Sequence, residues 1–226
     1  MKYKALLIDI DNTLYNYNST HIFAKKAVLQ FCKNEFKIDE NITLKAYDMA
    51  RKKFHIELNG TAASHNRILY FQNMCEILNI NPLKFSSQLY EVYWDTFLEK
   101  IVAFEGVYEL FKKYKNKICL ITDLTAHIQY RKIAKLGLSE YCKHVVTSEE
   151  AGKEKPHPYI FMLALRKLKL KANQVCMIGD NFEKDIFGAC NLGLHTIWFN
   201  HQKKDNKINK ISHLEVKSFK EILELI

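Results

Sequence analysis

Four stretches of this chain carry side chains able to hold a cation and a phosphate group together. Asp9-Ile10-Asp11-Asn12-Thr13-Leu14 sets two carboxylates two residues apart, and Thr122-Asp123 sets a hydroxyl beside a third. Gly152-Lys153-Glu154-Lys155-Pro156 offers an ammonium, and Gly179-Asp180 is followed by Asp185 five residues on. Singly, each has an ordinary explanation. A D-x-D pair makes a turn, a lysine in a charged loop is solvated, and Thr122 or Asp180 suits the N-cap of a following helix. Together they ask for a counter-ion, because two carboxylates about 4 Å apart repel by roughly 4 kcal/mol at an effective dielectric near 20. Asp9 also interrupts an apolar run, where an unpaired carboxylate is costly. Oxygen ligands without His or Cys suit Mg²⁺, and Mg²⁺ in turn implies a phosphate-bearing substrate. Lys155 can neutralise phosphate charge, while the Thr122 hydroxyl and nearby backbone N–H groups can hold its oxygens. There is no G-x-x-x-x-G-K-[ST] nucleotide loop and no Gly-rich dinucleotide fingerprint.

The elements that must position these groups read as alternating strands and helices. Short apolar runs at 5–10, 118–122, 145–147, 175–179 and 196–199 are too short for helices and suit buried parallel strands. Helix-period stretches at 126–136, 158–168 and 184–192 separate them, two ending at Leu136-Gly137 and Leu192-Gly193 with C-cap chemistry. This pattern predicts βαβ units and a parallel sheet covered on both faces. Ligands of such sheets bind outside the carboxyl ends of the strands, where the four stretches fall. Residues 16–97 break the alternation. Ile22, Ala24, Ala27, Val28 and Phe31, then Ile68, Phe71, Met74, Cys75 and Leu78, recur at helical spacing. Asn79-Ile80-Asn81-Pro82 suits a helix-to-helix turn. A helical insertion of this kind serves either as a lid or as a structural layer. The polar 200–213 segment reads as a loop before a final helix near 218–225.

Composition bounds the rest. The 226 residues suit one large domain or a core with one insertion, and 48% hydrophobic residues supply a core. Seven Gly and three Pro exclude a collagen-like or low-complexity chain. No stretch approaches the roughly 18 apolar residues of a membrane span, and the apolar run at residues 5–8 is shorter than a signal-peptide core of about 7–15 residues. The expectation is a soluble cytoplasmic protein with no membrane partner. Six cysteines lack C-x-x-C spacing, which predicts buried reduced thiols and neither a zinc nor a redox site. The net charge of +9 is spread along the chain without a basic, aromatic-interleaved segment. That favours a solvated basic surface and an anionic small substrate over a nucleic-acid partner.

With these motifs in order, the chain resembles the haloacid dehalogenase superfamily of hydrolases. Asp9-x-Asp11-x-Thr13-Leu14 matches the first family motif, Thr122 the second, and Lys155-Pro156-His157-Pro158-Tyr159-Ile160-Phe161 the third. Gly179-Asp180, Asp185-Ile186 and Gly188-Ala189 match the fourth. The resemblance implies an α/β, Rossmann-like parallel sheet flanked by helices over residues 1–15 and 98–226. It also implies an inserted helical cap domain of the C1 type over 16–97, with the nucleotidase-like phosphatases as the most similar branch. It implies that Asp9 is the nucleophile, forming an aspartyl-phosphate, and that Asp11 is general acid and then base. Thr122 would bind the transferred phosphoryl group and Lys155 would hold it. Asp9, the Asp11 backbone carbonyl and Asp180 would bind Mg²⁺, with Asp185 supporting the metal site.

One departure stands out: many relatives carry Asn where Asp123 follows Thr122. A carboxylate there would repel phosphate, so Asp123 either turns away, as a helix cap, or meets a substrate hydroxyl. Tyr15, Tyr17 and His21 leave the first motif directly and could reach substrate at the site's mouth, or pack the hinge and cap. The expected reaction is Mg²⁺-dependent hydrolysis of a small-molecule phosphate ester, a nucleoside monophosphate ahead of a sugar phosphate. The alternatives are a 2-haloacid dehalogenase-type hydrolase on the same fold, which lacks the second Asp and needs no metal, and a non-catalytic binding module. Oligomeric state is not legible in the sequence.

Overall fold

The computed structural model describes residues 2–205 and 213–226. The apolar runs form one parallel sheet of six strands: β1 (Ala5–Ile8), β2 (Ile118–Thr122), β3 (His144–Thr147), β4 (Val175–Gly179), β5 (His195–Phe199) and β6 (Leu214–Val216). Their order is β3-β2-β1-β4-β5-β6, and every neighbouring pair is parallel. β1, β2 and β4 are buried along their whole length, as unbroken apolar strands in a doubly covered sheet must be. Ile8 pairs with Leu120 on one side and Ile178 on the other. That register brings the residues after β1, β2 and β4 out at one edge. The order reverses beside β1, which opens a ligand crevice at that edge. The first strand ends at Ile8, two residues short of the expected 5–10 run, because the chain turns off the sheet into the D-x-D loop.

By contacts the chain falls into two compact units, Met1–Asn16 with Val102–Ile226, and Tyr17–Ile101. The second unit holds four helices: α1 (Tyr17–Phe36), α2 (Glu40–Glu57), α3 (Arg67–Ile77) and α4 (Pro82–Lys100). Side-chain N-caps start three of them. Asp39 accepts from the Asn41 N–H, Asn66 from Ile68 and Asn81 from Leu83, and Pro82 takes the first helical position, where no N–H is needed. α4 runs to Lys100, so the unit closes at Ile101, a few residues beyond 97. The interior of this unit is aromatic: Tyr47, Tyr70, Phe71, Tyr93, Trp94 and Phe97 are buried.

In the sheet-bearing unit, α5 (Val107–Lys113), α6 (Ala126–Lys135), α7 (Ser148–Ala151), α8 (Pro158–Leu168), α9 (Gly188–Cys190) and α10 (Phe219–Leu225) flank the strands. Ile160, Phe161 and Ala164 of α8 join Leu7, Ile121, Val146 and Met177 in one apolar cluster. Cys119 and Cys176 lie buried outside any disulfide. The predicted helix at 184–192 begins earlier, as a π-helical turn over Phe182–Phe187 that leads into α9. Of the segment expected as a polar loop, residues 206–212 lie outside the described residues. β6 follows it, and no apolar run announced it because only Val216 of its three residues is buried.

Candidate active site

Beyond β1 the chain makes a tight turn in which Asn12 adopts a left-handed φ of 63°, a conformation that Asn tolerates better than most residues. The turn lets Thr13 fold back. Its hydroxyl donates to Asp9 Oδ2 at 2.9 Å and accepts the Asp180 backbone N–H at 3.1 Å. Thr13 thus ties the loop after β1 to the loop after β4. Asp9, Asp180 and Asp185 are all buried, and each offers a carboxylate oxygen within 4.8 Å of the other two. Lys155 sits among them, with Nζ 2.6 Å from Asp9 Oδ1, 2.7 Å from Asp185 Oδ1 and 3.3 Å from the Ile121 carbonyl. Asp185 turns back through Oδ2 to accept the Asn181 N–H at 3.0 Å. It approaches the chain so closely that a Cβ on Gly179 would lie 2.3 Å from that oxygen. Only glycine fits there.

Charge explains the ionisation of the cluster. Burial pushes Asp9 up to about 7, with the Lys155 ammonium pulling the other way and Asp185 adding to the rise. Burial, reinforced by Asp9, pushes Asp180 up to about 6. Asp185 is raised mainly by burial as well, against Lys155. Lys155 itself is buried, which favours its neutral form, yet Asp185 and Asp9 hold its pKa well above the ordinary lysine range. Three buried carboxylates against one buried ammonium leave a negative excess. Lys204 meets part of it, with Nζ 3.1 Å from Asp180 Oδ2 at a more exposed edge. An all-oxygen, net-negative cluster of this kind has the donor chemistry of a Mg²⁺ site.

Asp11 stands apart from this triad. Its carboxylate takes Lys132 Nζ at 2.7 and 3.0 Å, Gln129 Nε2 at 3.0 Å and the Tyr15 hydroxyl. Burial alone would raise Asp11, but the Lys132 ion pair and the bonds from Lys132, Tyr15 and Gln129 outweigh it, and its pKa is lowered. An ammonium of α6, rather than the triad, neutralises the Asp11 side chain. Gln129 also donates to Thr122 Oγ1 at 2.8 Å. Thr122 consequently holds no cap. Thr125 is the α6 N-cap residue, and the Ala126 N–H goes to Glu149 Oε2 at 2.7 Å. Asp180 caps nothing either, since Asn181 accepts the Lys184 N–H at 3.0 Å.

Asp123 turns away from the triad, though not to cap a helix. Oδ1 accepts the Lys155 backbone N–H at 2.9 Å, and Oδ2 pairs with Lys184 Nζ at 2.9 Å. Lys184 also reaches Glu154 at 3.1 Å, and these two carboxylates raise its pKa against the effect of burial. Asp123 thus braces the Lys155 loop, and its paired charge removes the repulsion that a free carboxylate would exert on phosphate. Of the two alternatives for Tyr15, the structure shows packing: it is wholly buried with its hydroxyl on Asp11. Tyr17 and His21 belong to the helical unit, where they stack on each other with centroids 5.6 Å apart.

Four participants escaped the sequence reading: Thr13 as a clip, Gln129, Lys132 and Lys184. Two of them had a signal. Residues 128, 129, 132, 133 and 136 form the inward stripe of α6 at i, i+1, i+4, i+5 and i+8. Gln129 and Lys132 are polar members of that stripe, and both are wholly buried. A lysine on an apolar face demands a carboxylate partner. Lys184 had none, because between Glu183 and Asp185 it reads as an ordinary solvated charge.

Comparisons with known proteins place the chain in a family. The family model of haloacid dehalogenase-like hydrolases matches residues 3–193. The ribulose-1,5-bisphosphate 5-phosphatase of Halopiger xanaduensis is 34% identical over 207 residues, 89% of this chain and 87% of that one. The pyrimidine 5'-nucleotidase YjjG of Escherichia coli is 26% identical, covering 100% of this chain and 99% of its own. Among solved structures, a 2-haloacid dehalogenase from Pseudomonas syringae superposes with a TM-score of 0.74 at 21% identity, over 99% of this chain and 97% of that one. At that identity the likeness concerns the fold.

Proposed function

This chain belongs to the haloacid dehalogenase-like hydrolase family, and on that premise we propose that it cleaves a small phosphate monoester through an aspartyl-phosphate on Asp9. Its named relatives are phosphatases of small phosphorylated metabolites, and the chain is a phosphatase of that family. The observation that carries the reaction is the Lys155–Asp9 ion pair set among Asp180 and Asp185. It places a carboxylate nucleophile, a fixed cation and two further carboxylates in one buried cluster.

Asp9, Asp180 and Asp185, with the Asp11 backbone carbonyl, are the residues that would hold Mg²⁺. When bound, the ion supplies positive charge to the phosphate oxygens. A carboxylate oxygen of Asp9 attacks phosphorus, the ester P–O bond breaks, and the leaving oxygen takes a proton from Asp11. Water then attacks the phosphoryl group and gives its proton to Asp11, releasing phosphate and restoring Asp9. Covalent catalysis splits one hard displacement into two, and positioning and charge neutralisation supply most of the acceleration. Lys155 steadies Asp9 and the phosphoryl charge, and Thr122, its hydroxyl oriented by Gln129, holds a phosphoryl oxygen. In the structure Asp11 is ionised against Lys132, which suits the second step. For the first step it must swing off Lys132 and carry a proton.

The presence of Asp11 and Asp180 argues against a dehalogenase, which would need neither. The burial of Tyr15 removes one ring offered for base stacking, and a sugar phosphate therefore moves ahead of a nucleoside monophosphate as substrate. The helical unit is assigned the selection of substrate. The test is release of phosphate from p-nitrophenyl phosphate and from a panel of sugar phosphates, with Mg²⁺ and with EDTA. Turnover that requires Mg²⁺ and is abolished by Asp9→Asn supports the reading. Full activity in Asp9→Asn or Asp11→Ala refutes the assigned roles.

A further inference from the structure

The helical unit contains a buried cation that no carboxylate among the described residues neutralises. Arg67, the first residue of α3, is only 4% exposed. Its Nη1 donates to the His65 carbonyl at 2.8 Å and its Nη2 to the Tyr17 hydroxyl. The guanidinium lies 4.9 Å from the ring centroid of Tyr70, 5.4 Å from Tyr93 and 5.8 Å from Trp94. These rings favour a cation, but they satisfy no N–H in its plane. The buried Nε has no hydrogen-bond partner, and neither does the buried Tyr47 hydroxyl on α2. Among the described residues no carboxylate bonds Arg67, and the charges bearing on it come from the hydroxyls of Tyr17, Tyr93, Tyr47 and Tyr70. Tyr47 and Tyr93 carry no compensating charge, since burial pushes both above the ordinary tyrosine value.

The surroundings confirm the sign of the field. His21, whose Nδ1 lies 2.6 Å from the Tyr93 hydroxyl, is driven down to about 3 by burial and then by Arg67, Lys25 and Arg51. Tyr93 accepts a hydrogen bond from Arg67, so its own proton points to His21 Nδ1. A buried charge is ordinarily paired, and a guanidinium presents a planar fork matched to carboxylate and phosphate. Two unpartnered donors on two different helices, in a positive field, describe a receptor for an oxyanion.

We propose that Arg67 and Tyr47 form an oxyanion-binding site within the helical unit, which takes a carboxylate or phosphate group on Arg67 Nε–H and the Tyr47 hydroxyl. The site does not depend on the reaction assigned to Asp9, and its anion is a free solute.

The experiment reads Arg67 itself. The chain has four arginines, Arg51, Arg67, Arg131 and Arg166, so ¹⁵N-arginine labelling of the full chain gives four Nε–H signals. Arg67→Lys identifies the buried one by its disappearance. In EDTA, titration with inorganic phosphate and with fructose 1,6-bisphosphate is expected to shift that signal saturably. Tyr47→Phe should raise the half-saturating concentration about five- to tenfold, the worth of one hydrogen bond. A signal that stays fixed with both probes overturns the proposal. Because the titration involves no turnover, absence of phosphatase activity would refute the reaction on Asp9 and leave this site standing.

Discussion

Removing the charge of Asp180 should change how stability depends on pH. Asp180 has a folded-state pKa of about 6, raised mainly by burial, against an unfolded value near 3.9. A raised carboxyl pKa means that the folded state holds the proton more tightly. The stabilisation is complete below about pH 4 and is lost as pH rises through 6. The difference of about 2 pH units corresponds to about 3 kcal/mol. For a domain of this size that is about 6–12 °C in Tm. In EDTA, the asparagine variant Asp180→Asn should therefore gain about 2.4 kcal/mol on wild type between pH 4 and pH 8. Mg²⁺ should reverse the pattern in wild type, because it binds the ionised triad. At a hundred times its dissociation constant it adds about 2.7 kcal/mol at pH 8. At pH 5 the Asp180 proton competes about elevenfold, which lowers that gain to about 1.4 kcal/mol, and Asp9, raised in the same direction, lowers it further. Differential scanning fluorimetry at pH 4, 5 and 8, with EDTA or Mg²⁺, measures both quantities. A wild-type and Asp180→Asn difference that is flat with pH, or a Mg²⁺ gain as large at pH 5 as at pH 8, would refute the reasoning.

Three further outcomes follow from the same contacts. Lys132→Met removes a wholly buried ammonium from Asp11 and leaves that carboxylate uncompensated. Losing one partner of a buried pair costs about 3–5 kcal/mol, and the partial exposure of Asp11 places this case near 3, measurable by urea denaturation. Gly179→Ala puts a Cβ 2.3 Å from Asp185 Oδ2. It should raise the Mg²⁺ concentration needed for half-maximal activity about tenfold or more, the worth of about 1.4 kcal/mol at one ligand, while far-UV circular dichroism stays native. Asp123→Ala loses the acceptor for the Lys155 N–H, whereas Asp123→Asn keeps an oxygen there. Steady-state kinetics should show kcat reduced about fivefold in the first and changed little in the second, with KM steady in both, since one hydrogen bond to a positioning loop is worth about 1 kcal/mol.

Much of the architecture was legible because the cues were local. Strands such as 118–122 and 175–179 show unbroken apolar runs, and Asn81-Pro82 carries its own cap chemistry, so neither needs a distant partner to be recognised. β6 was hidden because its pairing with β5, not its composition, makes it a strand. The π-helical turn at Phe182–Phe187 was hidden for a related reason: a helical period does not distinguish its hydrogen bonds from those of an α-helix. The same division runs through the candidate site. Asp9, Thr122 and Asp180 sit at strand ends and Lys155 in the loop beyond β3 and α7, so chain order and sheet logic already bring them to one edge. Their orientations depend on residues remote in sequence. Asp123 looks like a group beside the phosphate until Lys184 and the Lys155 N–H claim its two oxygens. Tyr15 looks like a substrate contact until it is seen under Asp11. Lys132 looks like surface charge until α6 turns it inward. Residue types and spacing therefore sufficed for the kind of chemistry and the strand ends that bear it. The pairing of each charge was settled by packing, because a carboxylate's ionisation and direction follow from whatever cation and burial the folded chain brings within a few ångströms.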